Sequence, residues 1–304
     1  MRETAYEKAL AAIRQASTLP PAEAIPLLVD CVKKANALAG IKAIKALAGI
    51  HHPSVAPALV ALYYYMEESP AKRDNPCDLR MALAEALGDT GAPMAVDVLR
   101  LAIATTHVAR FGPTPEDMAV GLRATAAIAL AKIDPDCLHL LGLLLFDMAS
   151  TLPGTQVITD KSPVRKAAAQ GLSLLGGVGG APLLAVKLKF PQGEDVEVLA
   201  ECIESLVHIA PTWLMEIITP YLMGKNTYLA TITAMALAET QRAKALPVLL
   251  DAFEAASWAG KEGLALAIGL TRCGAAREFL LEIKDHPNSL VAAGVAKGLE
   301  IYGE

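Results

Sequence analysis

The chain has 304 residues and a formal net charge of −5, and it is 54% hydrophobic but only 19% charged. No uninterrupted apolar run reaches the ~20 residues that a membrane-spanning helix needs, so the sequence predicts no membrane partner. Residues 191–260 hold nine Asp or Glu against three Lys or Arg. Because phosphate backbones attract clustered basic residues, no nucleic-acid partner is expected either.

Residues 1–35 are predicted to form a capping hairpin of helices at the start of the chain. Beyond it, the stretch LRMALAEALGDTGAPMAVDVLRLAIA, which starts at Leu79, shows the unit from which the chain is built. Leu79, Leu83 and Leu87 recur every four residues, which is typical of one face of a helix. Gly88 to Pro93 then predicts a turn, and a second apolar helix follows.

Similar units recur along the chain and end in a half copy near residue 290. They align on the last leucine of each first helix, at Leu47, Leu87, Leu130, Leu172, Leu206, Leu237, Leu270 and Leu299. The steps of 40, 43, 42, 34, 31, 33 and 29 residues are typical of stacked helical hairpins. The sequence therefore predicts one all-α domain, a right-handed α-solenoid of about eight hairpins, with repeats over 36–286 and a C-terminal capping helix over 287–304.

Two segments, VRKAAAQGLSLLG and LRMALAEALGDTGAPMAVDVL, resemble HEAT-like repeats of the type first named from phycobilisome lyases. That type has an Arg-x-x-Ala first helix that ends in Leu-Gly. Arg80, Arg123 and Arg165 match its arginine, whereas the repeats from residue 198 onward lack it. The resemblance covers about 36–302 and implies an α-solenoid. We expect the arginines to bond carbonyls or turn carboxylates of adjacent repeats.

Three connections between repeats are unusually long, at 66–78, 106–120 and 149–163. Each joins a second helix to the next first helix, so they are predicted to lie along one edge of the repeat stack. Loops of this length are often functional. The alternative is a solvated fringe.

Some second helices carry almost no charge, although one stripe of each should face water. Residues 55–66 have no charged side chain, residues 138–149 have only His139 and Asp147, and residues 211–223 have only Glu216. Large exposed apolar patches usually mark interaction sites, although tighter superhelical packing could also cover these helices. The candidate binding residues are Tyr63, Tyr64, Tyr65, His139, Asp147, Trp213 and Tyr221.

These features favour a non-enzymatic scaffold that binds a partner protein or peptide in an apolar concave groove. The sequence shows no catalytic constellation, so it leans against an enzyme, and no cofactor or metal site is predicted. The five cysteines are scattered without CxxC spacing, which is typical of a reducing compartment and predicts a cytoplasmic protein. The terminal half repeat is thinly capped, so a homodimer is possible.

Two alternatives rest on the repeat class. One is a bilin-handling lyase or chromophore chaperone, in which Lys187, Lys189 and Arg100 could contact the propionates of a tetrapyrrole. The other is a HEAT-like DNA glycosylase, which the acidic charge disfavours.

Overall fold

The computed structural model describes residues 5–34, 36–110 and 114–303 of the chain. It divides into two compact units, Met1–Leu175 (unit 1) and Gly176–Glu304 (unit 2). The sequence-based prediction of one continuous domain with two terminal caps stays a prediction.

Unit 1 contains ten α-helices within its described residues. They are α1 (Ala5–Ala16), α2 (Pro21–Lys34), α3 (Ala37–Ala48), α4 (Val55–Glu67), α5 (Pro70–Arg73), α6 (Asp78–Thr90), α7 (Val96–Ala104), α8 (Val120–Ile133), α9 (Leu138–Leu145) and α10 (Ser162–Leu175). Two-residue strands β1 (Val108–Ala109) and β2 (Glu116–Asp117) pair antiparallel within the second long connection, whose residues 111–113 lie outside the described residues.

The described part of unit 2 contains eight α-helices. They are α11 (Gly177–Lys189), α12 (Val196–Ile209), α13 (Leu214–Leu222), α14 (Thr227–Gln241), α15 (Leu246–Ala255), α16 (Trp258–Leu270), α17 (Gly274–Glu282) and α18 (Ser289–Glu300). The prediction of an all-helical protein is confirmed at this level.

Local sequence explains several helix boundaries. The Asn36 carboxamide oxygen accepts a hydrogen bond from the Ala39 N–H at 3.0 Å and caps the start of α3, as Asn commonly does. Asp195 does the same for α12 through the Glu197 N–H at 2.7 Å. Gly91 ends α6 with φ of 63°, a left-handed conformation that glycine adopts without a Cβ clash.

The first helices of successive repeats pack on one another in both units. In unit 1 the order of packing is α3, α6, α8 and α10, and in unit 2 it is α12, α14, α16 and α18. The second helices pack against this row: α7 contacts α8, for example, and α13 contacts α14. Each first helix thus buries apolar side chains against its neighbours in the same unit, which is the physical basis of a helical-repeat core.

The aligned leucines locate the core of each unit. Leu47, Leu87, Leu130 and Leu172 are fully buried in unit 1, and Leu206 and Leu237 are buried in unit 2. Leu270 is only partly buried, whereas Ile268, two residues earlier in α16, is fully buried. Among the residues that the structure describes, no helix has the length and apolar character required to cross a bilayer.

Candidate functional site

The long connections of unit 1 fold back onto the arginines that begin the next helices. Arg80 is fully buried, and its Nε donates to the Asp74 carboxylate at 3.0 Å while its Nη1 donates to Glu67 at 2.8 Å. Arg80 Nη2 also lies 3.0 Å from the Sγ of Cys77. Burial raises the pKa of the Cys77 thiol to about 11, so the thiol is neutral near pH 7.

Arg123 is held in the same way by the second connection. Its Nη2 lies 2.6 Å from an Asp117 oxygen, and the Thr159 hydroxyl donates to the same carboxylate at 2.8 Å. Burial alone would raise the pKa of Asp117, but the hydrogen bonds from Arg123 and Thr159 hold it below its usual value. The third connection repeats the theme, because Arg165 Nη1 donates to the Asp147 carbonyl at 3.1 Å.

The arginines therefore bond turn carboxylates and carbonyls, as the sequence led us to expect. We call Arg80, Arg123 and Arg165 with their partners the arginine ladder. It fastens the long connections to the core of unit 1.

The three consecutive tyrosines of α4 have three different environments. Tyr63 is fully buried, so it presents no surface to a ligand, whereas Tyr64 is 45% exposed. The ring of Tyr65 is contacted by two cations, with the Lys33 Nζ 4.8 Å and the Arg73 Cζ 3.8 Å from its centroid. Of the three, Tyr64 is the one that is open to solvent.

His139 lies in the first turn of α9, Asp147 lies two residues after the end of that helix, and the two bond to different partners. His139 is exposed, and its Nδ1 lies 3.2 Å from the Asp136 carbonyl. Asp147 accepts an ion pair from Lys161 at 2.7 Å, so it is occupied in fastening the third long connection.

Trp213 and Tyr221 lie at opposite ends of α13 in unit 2. Trp213 is 36% exposed, and Tyr221 is half-buried, with its hydroxyl donating a hydrogen bond to the Leu188 carbonyl of α11. Burial raises the pKa of Tyr221 to about 12. This hydrogen bond joins the end of α11 to the end of α13.

A surface groove of about 370 Å³ lies between these two helix ends. We call it the α11–α13 groove, and its lining is formed by Leu188, Lys189, Pro191, Glu216, Ile217, Pro220 and Tyr221. Most of these side chains are apolar, and the two charged residues of the lining, Lys189 and Glu216, are exposed. Neither of these two forms an ion pair with another residue in the described part of the chain. The volume falls in the range typical of small-molecule sites, ~300–1,000 Å³.

A buried ion pair joins the end of α11 to the turn that follows it. The Lys187 ammonium pairs with the Glu194 carboxylate, and the two side chains are only 5% and 1% exposed. Cys202 is buried nearby, and burial raises the pKa of its thiol to about 12. Lys187 is thus unable to contact a ligand propionate, which corrects that part of the bilin alternative. Sequence reasoning missed the pair, although a lysine seven residues before a glutamate across a Gly-containing turn was a possible signal.

The other proposed propionate contacts differ from Lys187. Arg100 pairs with Asp134 at 2.8 Å in unit 1, whereas Lys189 lines the α11–α13 groove. In the described residues, no group of three or more His, Cys, Asp or Glu is placed to hold a metal ion.

No family model matches this chain. No curated protein matches it either. Among solved structures it matches human deoxyhypusine hydroxylase in complex with glycerol, with 15% sequence identity and a TM-score of 0.27, over 98% of this chain and 97% of that one. At this identity and TM-score, no activity, substrate or site carries over to this chain.

The matched protein is an enzyme by its name, so the comparisons lend no support to the leading hypothesis from the sequence, a non-enzymatic scaffold that binds a partner protein or peptide. That hypothesis is withdrawn.

Proposed function

We propose that the protein binds a small, mostly apolar molecule with at least one anionic group in the α11–α13 groove of unit 2. The observation that carries the proposal is an apolar groove of about 370 Å³ whose lining includes an exposed lysine, Lys189. Apolar walls supply most of the affinity of such sites, and a few polar groups set the orientation of the ligand. Lys189 is the group that would hold the anion.

Exposed apolar side chains around the groove support this role. Phe190 is 62% exposed, Val186 46% and Met223 44%. Val186 and Phe190 belong to the end of α11 and Met223 follows the end of α13, the two helices that line the groove. A ligand with flat or extended apolar parts would cover this surface, which otherwise faces water.

A bilin is the first natural ligand to test, because its propionates are anionic and the repeats resemble the phycobilisome-lyase type. We also propose that the repeats are of the phycobilisome-lyase type, that the solenoid is right-handed and that it contains about eight hairpins.

Binding is tested with 8-anilinonaphthalene-1-sulfonate, a fluorescent apolar probe with one sulfonate, titrated into the full chain. We expect one saturable site, and Lys189→Met should weaken binding about fivefold, the effect of losing one solvent-screened charge contact of about 1 kcal/mol. Lys244→Met is the matched control, because Lys244 is also an exposed lysine of unit 2 but lies outside the groove.

Competition between the probe and biliverdin then tests whether a bilin is among the ligands that the groove binds. If biliverdin displaces the probe from wild-type protein, and displaces it less well from Lys189→Met, a bilin belongs to the class that is bound. Equal affinity of the two lysine variants, or binding without saturation, would refute the groove as the site.

A further inference from the structure

We propose that the buried Lys187–Glu194 ion pair positions the wall of the α11–α13 groove and thereby sets its affinity for ligand. This inference rests on the proposed function, since it concerns the same groove. Lys187 and Glu194 would act as positioning residues, because neither lines the groove.

The argument starts with the chain segment between the paired residues. Helix α11 ends at Lys189, and the chain then turns through Gly193, whose φ is 71°. The Glu194 N–H donates to the Pro191 carbonyl at 3.0 Å and closes this turn. The ion pair therefore joins the last turn of α11 to the far end of the turn that follows it.

Groove residues lie between these two anchors. Leu188, Lys189 and Pro191 line the groove, and all three fall between Lys187 and Glu194 in sequence. The position of this wall consequently depends on the ion pair that holds residues 187 and 194 together. The hydrogen bond from the Tyr221 hydroxyl to the Leu188 carbonyl fixes the same wall to α13.

Burial makes the ion pair a strong constraint on this geometry. With side chains only 5% and 1% exposed, each charge loses most of its hydration, so separating the two charges inside the protein is costly. Glu194 also accepts a hydrogen bond from the Asp195 N–H at 2.8 Å. Since Asp195 caps α12, the turn is joined to the start of the next first helix as well.

A specifying role differs from a merely stabilising one in a way that can be measured. An apolar pair of similar volume often replaces a buried ion pair without loss of stability. Apolar side chains have no preferred partner atom, however, so they do not fix the distance between residues 187 and 194. A double variant with Lys187→Met and Glu194→Met together should therefore remain folded while the wall of the groove shifts. Lys189 would then no longer be held where it meets the anion.

The experiment is a double-mutant cycle in the full chain, in which the affinity of each variant for the anilinonaphthalene sulfonate probe is measured. We compare wild type, Lys189→Met, the double variant Lys187→Met with Glu194→Met, and all three changes together. We expect the double variant to bind about fivefold more weakly, and the further Lys189→Met change to have almost no effect in that background, since interacting residues are not additive. Circular dichroism and the thermal midpoint establish that each variant is folded.

The outcomes separate this inference from the proposed function. If wild-type binding does not depend on Lys189, the proposed function and this inference both fail. If it does depend on Lys189 but the double variant binds like wild type, or Lys189→Met weakens both backgrounds equally, only the positioning role is overturned. Should the double variant not fold, Lys187→Gln together with Glu194→Gln, which removes both charges but keeps groups that can hydrogen-bond, replaces it in the same cycle with the same expected loss of coupling.

Discussion

Units 1 and 2 are built from the same kind of helical hairpin but place their buried charges differently. In unit 1 the buried cation begins a first helix, and its carboxylate comes from the long connection before it, as in Arg80 and Asp74. In unit 2 the buried cation ends a second helix, and its carboxylate comes from the short turn after it, as in Lys187 and Glu194. The first arrangement fastens long connections, whereas the second shapes the wall of a groove.

Close backbone contact is common to both units and does not distinguish them. A Cβ at Gly88 of α6 would lie 2.8 Å from the Ala129 Cα of α8, and one at Gly269 of α16 would lie 2.6 Å from the Gly298 Cα of α18. Glycine thus brings first helices together in either unit. What is particular to unit 1 is the arginine ladder.

The largest loss of stability is expected when Arg80, the first arginine of the ladder, is replaced. Arg80→Met leaves the fully buried Asp74 side chain without its cation. Because an uncompensated buried charge is costly, we expect the free energy of unfolding to fall by about 3–5 kcal/mol, measured by urea denaturation with circular dichroism.

Lys132→Met is the control for this prediction. Lys132 pairs with Asp89 at 2.7 Å in the same unit, but both side chains are largely exposed, at 41% and 57%. An exposed pair contributes about 0–1 kcal/mol. Similar losses in the two variants would show that the ladder is not a buried constraint.

The next largest effect is expected where first helices of unit 2 touch. A Cβ at Gly294 of α18 would lie 2.8 Å from the Glu262 Cα of α16. Gly294→Ala must push two backbones apart, so we expect a loss of about 1–3 kcal/mol in the free energy of unfolding. Gly274→Ala is the matched control, since a Cβ there meets nothing within 4 Å, and it should be neutral or slightly stabilising. A neutral Gly294→Ala would contradict the close packing of α16 and α18.

Acidification should cause a smaller loss in the free energy of unfolding, because it protonates Asp117, the partner of Arg123 in the ladder of unit 1. Hydrogen bonds from Arg123 and Thr159 outweigh burial and hold the pKa of Asp117 below its ordinary value. A carboxyl with a lowered native pKa stabilises the fold above its unfolded pKa of about 3.9, and this stabilisation is lost as pH falls through the native pKa. We therefore expect the stability difference between wild type and Asp117→Asn to be constant near neutrality and to shrink below about pH 4.

Urea denaturation at a series of pH values measures this difference. Asp160→Asn is the comparison, because Asp160 lies in an exposed part of the third connection and its pKa is lowered by hydrogen bonds from Ser162. Its effect should be smaller, since solvent screens an exposed charge. A pH-independent difference for Asp117→Asn would mean that its carboxylate does not stabilise unit 1.

The sequence predicted the repeat helices and the arginines of the ladder, because both follow local patterns, but it named neither the partners of those arginines nor the short elements α5, β1 and β2 of the connections. The spacing of Leu79, Leu83 and Leu87 places the core face of α6, and all three are buried. The binding residues depend instead on how helices pack, which one sequence does not encode locally. Tyr63 and Tyr64 are adjacent in an uncharged helix, yet one is in the core and the other is 45% exposed. Likewise, Lys187 and Lys189 end the same helix but only Lys189 is exposed.

The smallest effect is expected from a comparison of one tyrosine hydroxyl in each unit. Tyr221 of unit 2 donates to the Leu188 carbonyl, whereas the buried Tyr63 hydroxyl of unit 1 has no partner of hydrogen-bonding geometry among the described residues. Burial raises the pKa of Tyr63, and the nearby Thr105 side chain offsets only part of that rise. Tyr221→Phe should cost about 0.5–1.5 kcal/mol, the net contribution of one hydrogen bond.

Tyr63→Phe should instead be neutral or stabilising, because it removes a buried polar group that the fold leaves unsatisfied. Urea denaturation of both variants measures the contrast in the free energy of unfolding. A clear loss for Tyr63→Phe would show that its hydroxyl does bond within unit 1, with Thr105 as the nearest polar side chain. In that case the two hydroxyls would play the same part, and the difference between the units would rest on their buried charges alone.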